Sequence, residues 1–212
     1  MNSTLRRTGL ILLASVVMMA AFTLVLGVVY PLVITGIGQV AFPWQSNGSL
    51  LQKPAAEGDA GSKAGSTVGS ALLGQSFSDA KGHPLRQYFQ PRPSADSAGY
   101  AGTDSGGSNL GPESTELISQ IKERKAQVAA FNGVPESEVP VDAVTASGSG
   151  LDPDISPAYA QVQVARVARA RGLPAAAVEA LVAEYTNGPD LGYLGQSTVD
   201  VVELNLALDE LR

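Results

Sequence analysis

An unbroken apolar run near the N-terminus dominates the pattern of the chain. Residues 9–33 read GLILLASVVMMAAFTLVLGVVYPLV, and no charged side chain or histidine occurs from Thr8 to Gln52. At the rise of an α-helix the run would be about 37 Å long, enough to cross a hydrocarbon core of roughly 30 Å. Because it has no polar face, it is not typical of a buried helix in a soluble protein. The pattern predicts one transmembrane helix over residues 9–33.

The length of this run and the charges that flank it indicate whether it is cleaved and how it is oriented in the membrane. A cleavable signal peptide also starts with basic residues, but its apolar region usually spans only about 7 to 15 residues, so the longer run favours an uncleaved anchor. Arg6 and Arg7 precede the run, and the next basic residue is Lys53. The positive-inside rule therefore predicts that residues 1–8 are cytoplasmic and that the body lies outside the cytoplasm.

One face of the predicted membrane helix carries small side chains. Ala20, Thr23 and Gly27 recur at helical spacing, which would form a shallow groove where a second helix can approach closely. Small residues are also common in any membrane helix. We nevertheless take this face as a candidate packing site.

Beyond the apolar run the pattern is that of a mixed domain. Residues 34–69 are predicted as a membrane-proximal segment with a linker rich in Gly, Ser and Ala, and residues 70–212 as the folded extracytoplasmic domain. The loop over residues 96–111 is polar and rich in Gly and Ser. Short strands are predicted at residues 70–77 and 88–89, and an extended segment at residues 139–145.

Helical spacing and capping signals predict four helices in this domain. The first contains Leu117 to Phe131 and stops at Asn132-Gly133, and the second starts at Ser156-Pro157 and stops at Gly172. The others are predicted from Pro174 to Tyr185 and from Asp200 to Leu211, with Asp200 and Glu203 as a capping box and a strand left open around Leu206. These elements predict an α+β fold.

Composition narrows the possible partners. Arg6 and Arg7 are two of the 14 basic residues, so the rest of the chain holds 12 basic and 20 acidic residues, a net charge of −8. Such a body is not suited to nucleic acid or to an anionic lipid surface, because both need clustered cations. The chain has no cysteine, which excludes disulfides, thiol catalysis and Cys-ligated metals.

Residues with catalytic or ligand chemistry are few. His83 is the one histidine and stands beside a proline in a charged stretch, so we interpret it as an exposed loop residue rather than as part of a metal site or a catalytic triad. Asp152 and Asp154 could serve acid–base chemistry or bind a cation, but beside a helix start they more commonly cap backbone amides and complement the helix dipole. We predict no catalytic residues and no metal site.

Two further patterns have ordinary structural readings. Ser147 to Gly150 lacks the ending of a phosphate-binding loop and is predicted to be a tight turn. Arg166 and Arg169 share a helix face while Arg171 points elsewhere, so the three are predicted to form a solvated face paired with carboxylates rather than one anion clamp.

Several strings, taken together and in order, carry a resemblance to a known family. They include VYPL, FPWQ and NGSL near the apolar run, then LGQ, RPSA and SGGSNL, then VTAS, SGLD, ISP and QVARVA, and finally VELNLALD. In this order the chain resembles the C subunit of the bacterial Kdp high-affinity potassium-transporting P-type ATPases. The resemblance covers essentially the whole chain.

The resemblance implies a single-pass subunit of the bacterial inner membrane that aids assembly of an ATP-driven potassium importer. Its partners would be a channel-like potassium-binding subunit, a P-type ATP-hydrolysing subunit and a small single-span subunit. It would be no enzyme by itself but a catalytic chaperone that raises the ATP affinity of the pump subunit. No stably bound cofactor is expected, and ATP would act through that subunit. The alternative is a membrane-anchored extracytoplasmic binding domain independent of a transporter.

Gln163 matches the family glutamine linked to the nucleotide effect. The predicted topology places Gln163 outside the cytoplasm, away from cytoplasmic ATP, and a packing role for this polar helix residue stays open. The sequence departs from the family in Ala165, where proline is common, in Asp200, where asparagine is common, and in longer loops at residues 53–66 and 81–86. These departures concern the surroundings of Gln163.

Overall fold

The computed structural model describes residues 3–53, 65–95 and 99–211 and divides the chain into two compact units, Met1–Ser49 and Leu50–Arg212. The first unit is helical. Helix α1 spans Ser3–Leu24, a π-helical turn covers Val25–Val29, and α2 continues over Tyr30–Ala41. The short helix α3, Pro43–Ser46, follows a break at Phe42. This unit confirms a long N-terminal apolar helix.

The apolar helix continues well past residue 33, where the sequence pattern ended it. One helical span from Arg6 to Ala41 is long and apolar enough to cross a membrane, and its side chains are exposed within the unit. The boundary of the embedded part stays a prediction.

The π turn has a local cause in Pro31. Proline has no N–H to donate and its ring collides with the carbonyl four residues earlier, that of Gly27. The turn over Val25–Val29 inserts an extra residue here, with the Tyr30 N–H bonded to the Val25 carbonyl. A π turn is a common way to absorb such a conflict without ending the helix.

The described residues of the second unit contain four α-helices, which confirms that part of the α+β prediction. They are α4 over Thr115–Asn132, α5 over Pro157–Arg171, α6 over Ala175–Glu184 and α7 over Val201–Glu210. The side chains of Ser114, Ser156 and Asp200 accept from backbone N–H groups as N-caps. Gly133 and Gly172 end α4 and α5 in the left-handed conformation, as the stop signals predicted.

Five short strands occur in the part of this unit that the structure describes. Strand β1, Leu50–Gln52, pairs antiparallel with β2, Thr67–Ser70. Strands β3, Asp154–Ile155, β4, Thr186–Asn187, and β5, Thr198–Asp200, form a second antiparallel sheet in the order β3-β5-β4.

The core lies between α5, α6, α7 and β5. Its fully buried apolar side chains share contacts across these elements and include Phe89, Ile155, Val167, Val178, Val199, Leu204 and Leu208. Phe89 belongs to a segment without regular secondary structure, and the burial of its side chain in the core holds that segment in place. The core thus joins the four-helix part of the unit to residues far upstream.

Two predicted strands, at residues 70–77 and 88–89, are wrong. Thr67–Ser70, read as the end of the linker, forms β2, while the chain turns at residues 71–72, so that Leu73 pairs back with Ser70, and residues 74–77 are irregular. Residues 139–145, predicted as extended, are extended only at Val139 and Pro140, between 3₁₀ turns at Glu136–Glu138 and Val141–Ala143.

Residues 88–89 lie in irregular backbone instead of a strand. Their backbone groups are bonded by side chains, as described below. The loop prediction holds for residues 99–111, which have no helix or strand, whereas residues 54–64 of the linker and 96–98 of the loop lie outside the described residues.

Candidate functional site

Gln163, the residue marked by the family resemblance, is fully buried on α5. Its side-chain oxygen accepts from the Gln90 N–H at 2.7 Å, and its amide nitrogen donates to the Gln90 carbonyl at 3.0 Å. The same oxygen also accepts from Arg166 Nη2 at 2.7 Å. Both polar atoms of the amide are therefore engaged within the protein.

Asn205 on α7 makes the same pair of hydrogen bonds with Phe89, the residue before Gln90. Its side-chain oxygen accepts from the Phe89 N–H at 2.8 Å, and its amide nitrogen donates to the Phe89 carbonyl at 2.9 Å. Asn205 is also almost fully buried. Two side-chain amides from different helices thus replace the partner strand that Phe89 and Gln90 lack.

Two arginines of α5 donate to the backbone carbonyls of the three residues before Phe89. Arg166 Nη1 donates to the carbonyls of Arg86 and Tyr88, and Arg171 Nε donates to that of Gln87 at 2.7 Å. All five carbonyls of Arg86–Gln90, hereafter the clamped segment, therefore accept a hydrogen bond from a side chain of α5 or α7.

The predicted solvated arginine face is wrong for Arg166. The residue is 2% exposed, and its guanidinium donates to the Asn132 side chain at 2.9 Å and lies 4.5 Å from the centre of the Phe131 ring. Burial lowers the pKa of Arg166 to about 10, so it stays cationic at neutral pH. Arg169 is exposed as predicted.

Arg171 was placed apart from Arg166 by helical spacing, and yet both reach the clamped segment. Arg171 Nη2 bonds Asp209 at 2.6 Å, and its guanidinium lies 4.8 Å from the centre of the Tyr88 ring. The long side chains bridge the angular separation. The sequence pattern carried no signal for this convergence, because the carbonyls that the two arginines bind lie 78 to 84 positions earlier in the chain.

The other candidate residues have structural roles. Asp152 Oδ1 accepts from the Asp154 N–H, which confirms amide capping, while its other oxygen pairs with Arg92 at 2.9 Å. Ser147 accepts from the Gly150 N–H in the predicted turn. His83 is exposed and lies 3.3 Å from Asp79. Within the ranges described, no group of three or more His, Cys, Asp or Glu residues could hold a metal ion.

The small-residue face of the membrane helix is present in the first unit. Ala20, Thr23 and Gly27 are all exposed there, and Gly27 lies inside the π turn. A Cβ on Gly27 would lie 3.9 Å from Thr23 Cγ2, so these two residues do share a face. The packing role of this face stays a prediction.

A groove of about 750 Å³ opens beside the clamped segment. Its walls include Pro91, Phe131 and Tyr159, and its polar lining includes Gln90, Arg92 and Arg124. Gln163 reaches this region only through Gln90, whose backbone it holds. The Gln163 side chain itself offers no group to a bound molecule.

Comparisons with known proteins agree along nearly the full chain. Residues 12–210 match the family model described as KdpC: K+-transporting ATPase, c chain. A protein of Kineococcus radiotolerans, named potassium-transporting ATPase KdpC subunit, is 50% identical over 202 residues, which cover 95% of this chain and 91% of the relative. Relatives with the same name from Gemmatimonas aurantiaca and Mycobacterium tuberculosis are 50% identical over 198 residues and 44% identical over 201 residues. The first covers 93% of this chain and 91% of the relative, and the second 94% and 98%.

The match includes the apolar helix as well as the clamped segment with its four side-chain partners. Agreement of this extent and identity is that of members of one family. The chain therefore belongs to the KdpC family, the c chains of K+-transporting ATPases.

Proposed function

We propose that the chain is an accessory subunit of an ATP-driven, high-affinity potassium import complex and that it aids assembly of that complex. Its partners would be a channel-like potassium-binding subunit, a P-type ATP-hydrolysing subunit and a small single-span subunit. The observation that carries the proposal is the match of residues 12–210 to K+-transporting ATPase c chains, which takes in membrane helix and body together. Co-purification of the tagged chain with these subunits tests it, and recovery of the chain alone would contradict it.

We place the chain in the bacterial inner membrane as a single-pass protein with a cytoplasmic N-terminus and an extracytoplasmic body. Arg6 and Arg7 at the start of the helix, with no basic residue before Lys53, support this orientation. A protease site at each terminus tests it in intact spheroplasts. The C-terminal site should be cut before lysis and the N-terminal site only after it.

The subunit performs no catalysis of its own in this proposal, and ATP enters through the pump subunit. The position of Gln163 supports an indirect effect on ATP use, because its amide is buried and fully engaged by Gln90 and Arg166. Gln163 would act by holding the clamped segment in place. Any change in ATP affinity would then follow the geometry of the body.

Asn205 provides a matched control for this role. Gln163→Ala and Asn205→Ala each remove one buried amide that pairs with one residue of the clamped segment. If Gln163 acts by position, both variants should raise the ATP concentration for half-maximal activity of the complex, in step with their loss of thermal stability. A change confined to Gln163→Ala would instead indicate nucleotide contact, and no change in either would remove the ATP role.

A further inference from the structure

The groove beside the clamped segment differs in charge from the rest of the body. The chain carries a net charge of −6, but the described residues that line the groove include Arg92 and Arg124 and no Asp or Glu. A cationic lining in an acidic protein is a local feature, since average composition would predict the opposite sign. The groove therefore favours a ligand that carries negative charge.

Arg92 and Arg124 come from separate parts of the chain and bond backbone carbonyls at one edge of the groove, here called the rim. Arg124 Nη1, from α4, donates to the Val144 carbonyl at 3.2 Å. Arg92 Nη2 donates to the next two carbonyls, those of Thr145 at 3.3 Å and Ala146 at 3.4 Å. Two guanidinium groups thus bond the carbonyls of consecutive residues and line the same groove, where their like charges favour the approach of an anion.

One carboxylate offsets this pair in the described part of the chain. Asp152 bonds Arg92 Nη1 at 2.9 Å, and the Arg92 side chain stays 24% exposed. Two cations against one anion leave a net positive charge at the rim. A second carboxylate could therefore bind there with charge-assisted hydrogen bonds.

The remaining walls show what kind of anion fits. Phe131, Val128, Pro91 and Tyr159 give the groove an apolar lining that a free inorganic ion would leave in contact with water. A peptide segment with an apolar side chain near an Asp or Glu would cover these walls and neutralise the rim at the same time. Such a combination of apolar anchor and charged pair is common in protein interfaces.

We propose that this groove is a docking site for an acidic, partly apolar peptide segment of another subunit of the transport complex. The inference rests on the proposed place of the chain in that complex. Arg124 binds the incoming carboxylate, and Arg92, already paired with Asp152, sets the second charge beside it.

Charge variants on α4 test the electrostatic part. Arg124→Glu should weaken association of the full chain with the purified remainder of the complex by about tenfold or more, because a buried charge contact becomes a repulsion. Arg124→Lys keeps the charge and should retain most of the affinity. Lys122→Glu makes the same charge change on an exposed part of α4 outside the groove and should have little effect. Equal weakening by Arg124→Glu and Lys122→Glu would overturn the proposal.

The absence of cysteine from the chain allows a direct test of occupancy. Gln127 lines the groove, whereas Ala126 is exposed on the same helix outside it. Maleimide labelling of Gln127→Cys should be slowed about tenfold on assembly, as expected for a residue shielded at an interface. Labelling of Ala126→Cys should keep the same rate. Equal labelling of Gln127→Cys before and after assembly would refute docking.

A benzophenone attached at Gln127→Cys then identifies the occupant. Cross-links to an Asp- or Glu-containing segment of another subunit would support the proposal. Cross-links to lipid, to a second copy of this chain or to nothing would overturn it. Because the unsubstituted chain is assembled in parallel, its failure to associate would count against the proposed function rather than against the groove.

Discussion

The long apolar helix and the clamped segment satisfy their backbone groups in opposite ways. In the apolar helix the hydrogen bonds lie within the helix itself and the side chains are apolar and exposed in their own unit. In the clamped segment the carbonyls accept from side chains that lie between 73 and 116 positions further along the chain. The apolar helix can therefore satisfy its backbone groups from its own sequence alone. The clamped segment can do so only when the body is folded.

This difference determines where single substitutions act. The helix can change most apolar side chains for others of similar hydrophobicity and still satisfy its backbone. In the clamped segment the loss of one side chain leaves buried carbonyls and N–H groups without partners, which is more unfavourable than the loss of a solvated bond. The body should therefore be sensitive at a few polar positions and the helix at its packing positions.

Replacing Arg166 should have the largest effect on the body. Arg166→Met removes the donors to Arg86, Tyr88, Asn132 and Gln163 and should lower the free energy of unfolding by about 3 kcal/mol or more. Urea unfolding of the full chain in detergent, followed by near-UV circular dichroism, measures this change. Arg169→Met, on the exposed side of the same helix, should change it by no more than about 0.5 kcal/mol. Equal losses would mean that the buried bonds are not what stabilises the segment.

Asp200→Asn tests a buried group whose charge is unfavourable. Burial raises the pKa of Asp200 from 3.8 to about 7, and Asp154, opposite it across β3 and β5, adds to this shift. The folded state therefore binds the proton more tightly than the unfolded state does. The contribution of Asp200 to the free energy of unfolding is therefore highest below about pH 4, falls as the pH rises to about 7, and is level above that.

Asparagine can still accept the Glu203 N–H bond that caps α7, but it has no proton to lose. Asp200→Asn should therefore be more stable than the parent at pH 8, by about 1 to 3 kcal/mol, and equal to it at pH 4. Urea unfolding at both pH values checks this. A smaller slope should remain from Asp154, whose pKa burial also raises. An unchanged slope would show that Asp200 does not titrate in this range.

Sequence patterns predicted the parts of this protein whose interactions are local. The N-caps Ser156 and Asp200, the stop at Gly133 and the long apolar helix all depend on residues within a few positions of one another, and each is present in the structure. The turn at Gly150 belongs to the same group. In each case the same short window holds both the donor and the acceptor.

Interactions between distant residues were not predictable in the same way. Tyr88-Phe89 has the composition of a strand, but its partners are side-chain amides and arginines of α5 and α7 rather than another strand. Arg166 was expected in solvent because helical spacing does not reveal what packs against a face. Gln163 was identified by resemblance, and its buried pairing with Gln90 became visible only in the fold.

Gly27→Leu tests the small-residue face of the apolar helix. If Ala20, Thr23 and Gly27 face a partner helix, a large side chain at Gly27 should weaken assembly by about 1 kcal/mol, or several-fold in recovery of the complex. The substitution causes no clash within the unit, where a Cβ meets only Thr23 Cγ2 at 3.9 Å. Gly36→Leu, on the same helix beyond the π turn, also meets open space and is the control. Unchanged co-purification of Gly27→Leu would remove the packing site.

Asp209→Asn should have the smallest effect, although it touches the same clamped segment. Asp209 pairs with Arg171 at 2.6 Å and accepts from the Tyr88 hydroxyl at 3.2 Å, but its side chain is 34% exposed. Water replaces much of what an exposed ion pair loses, so the free energy of unfolding should fall by only about 0.5 kcal/mol, and by less in high salt. Urea unfolding at low and high salt measures both values. A loss as large as that of Arg166→Met would mean that burial is not what separates strong from weak contacts in the clamp.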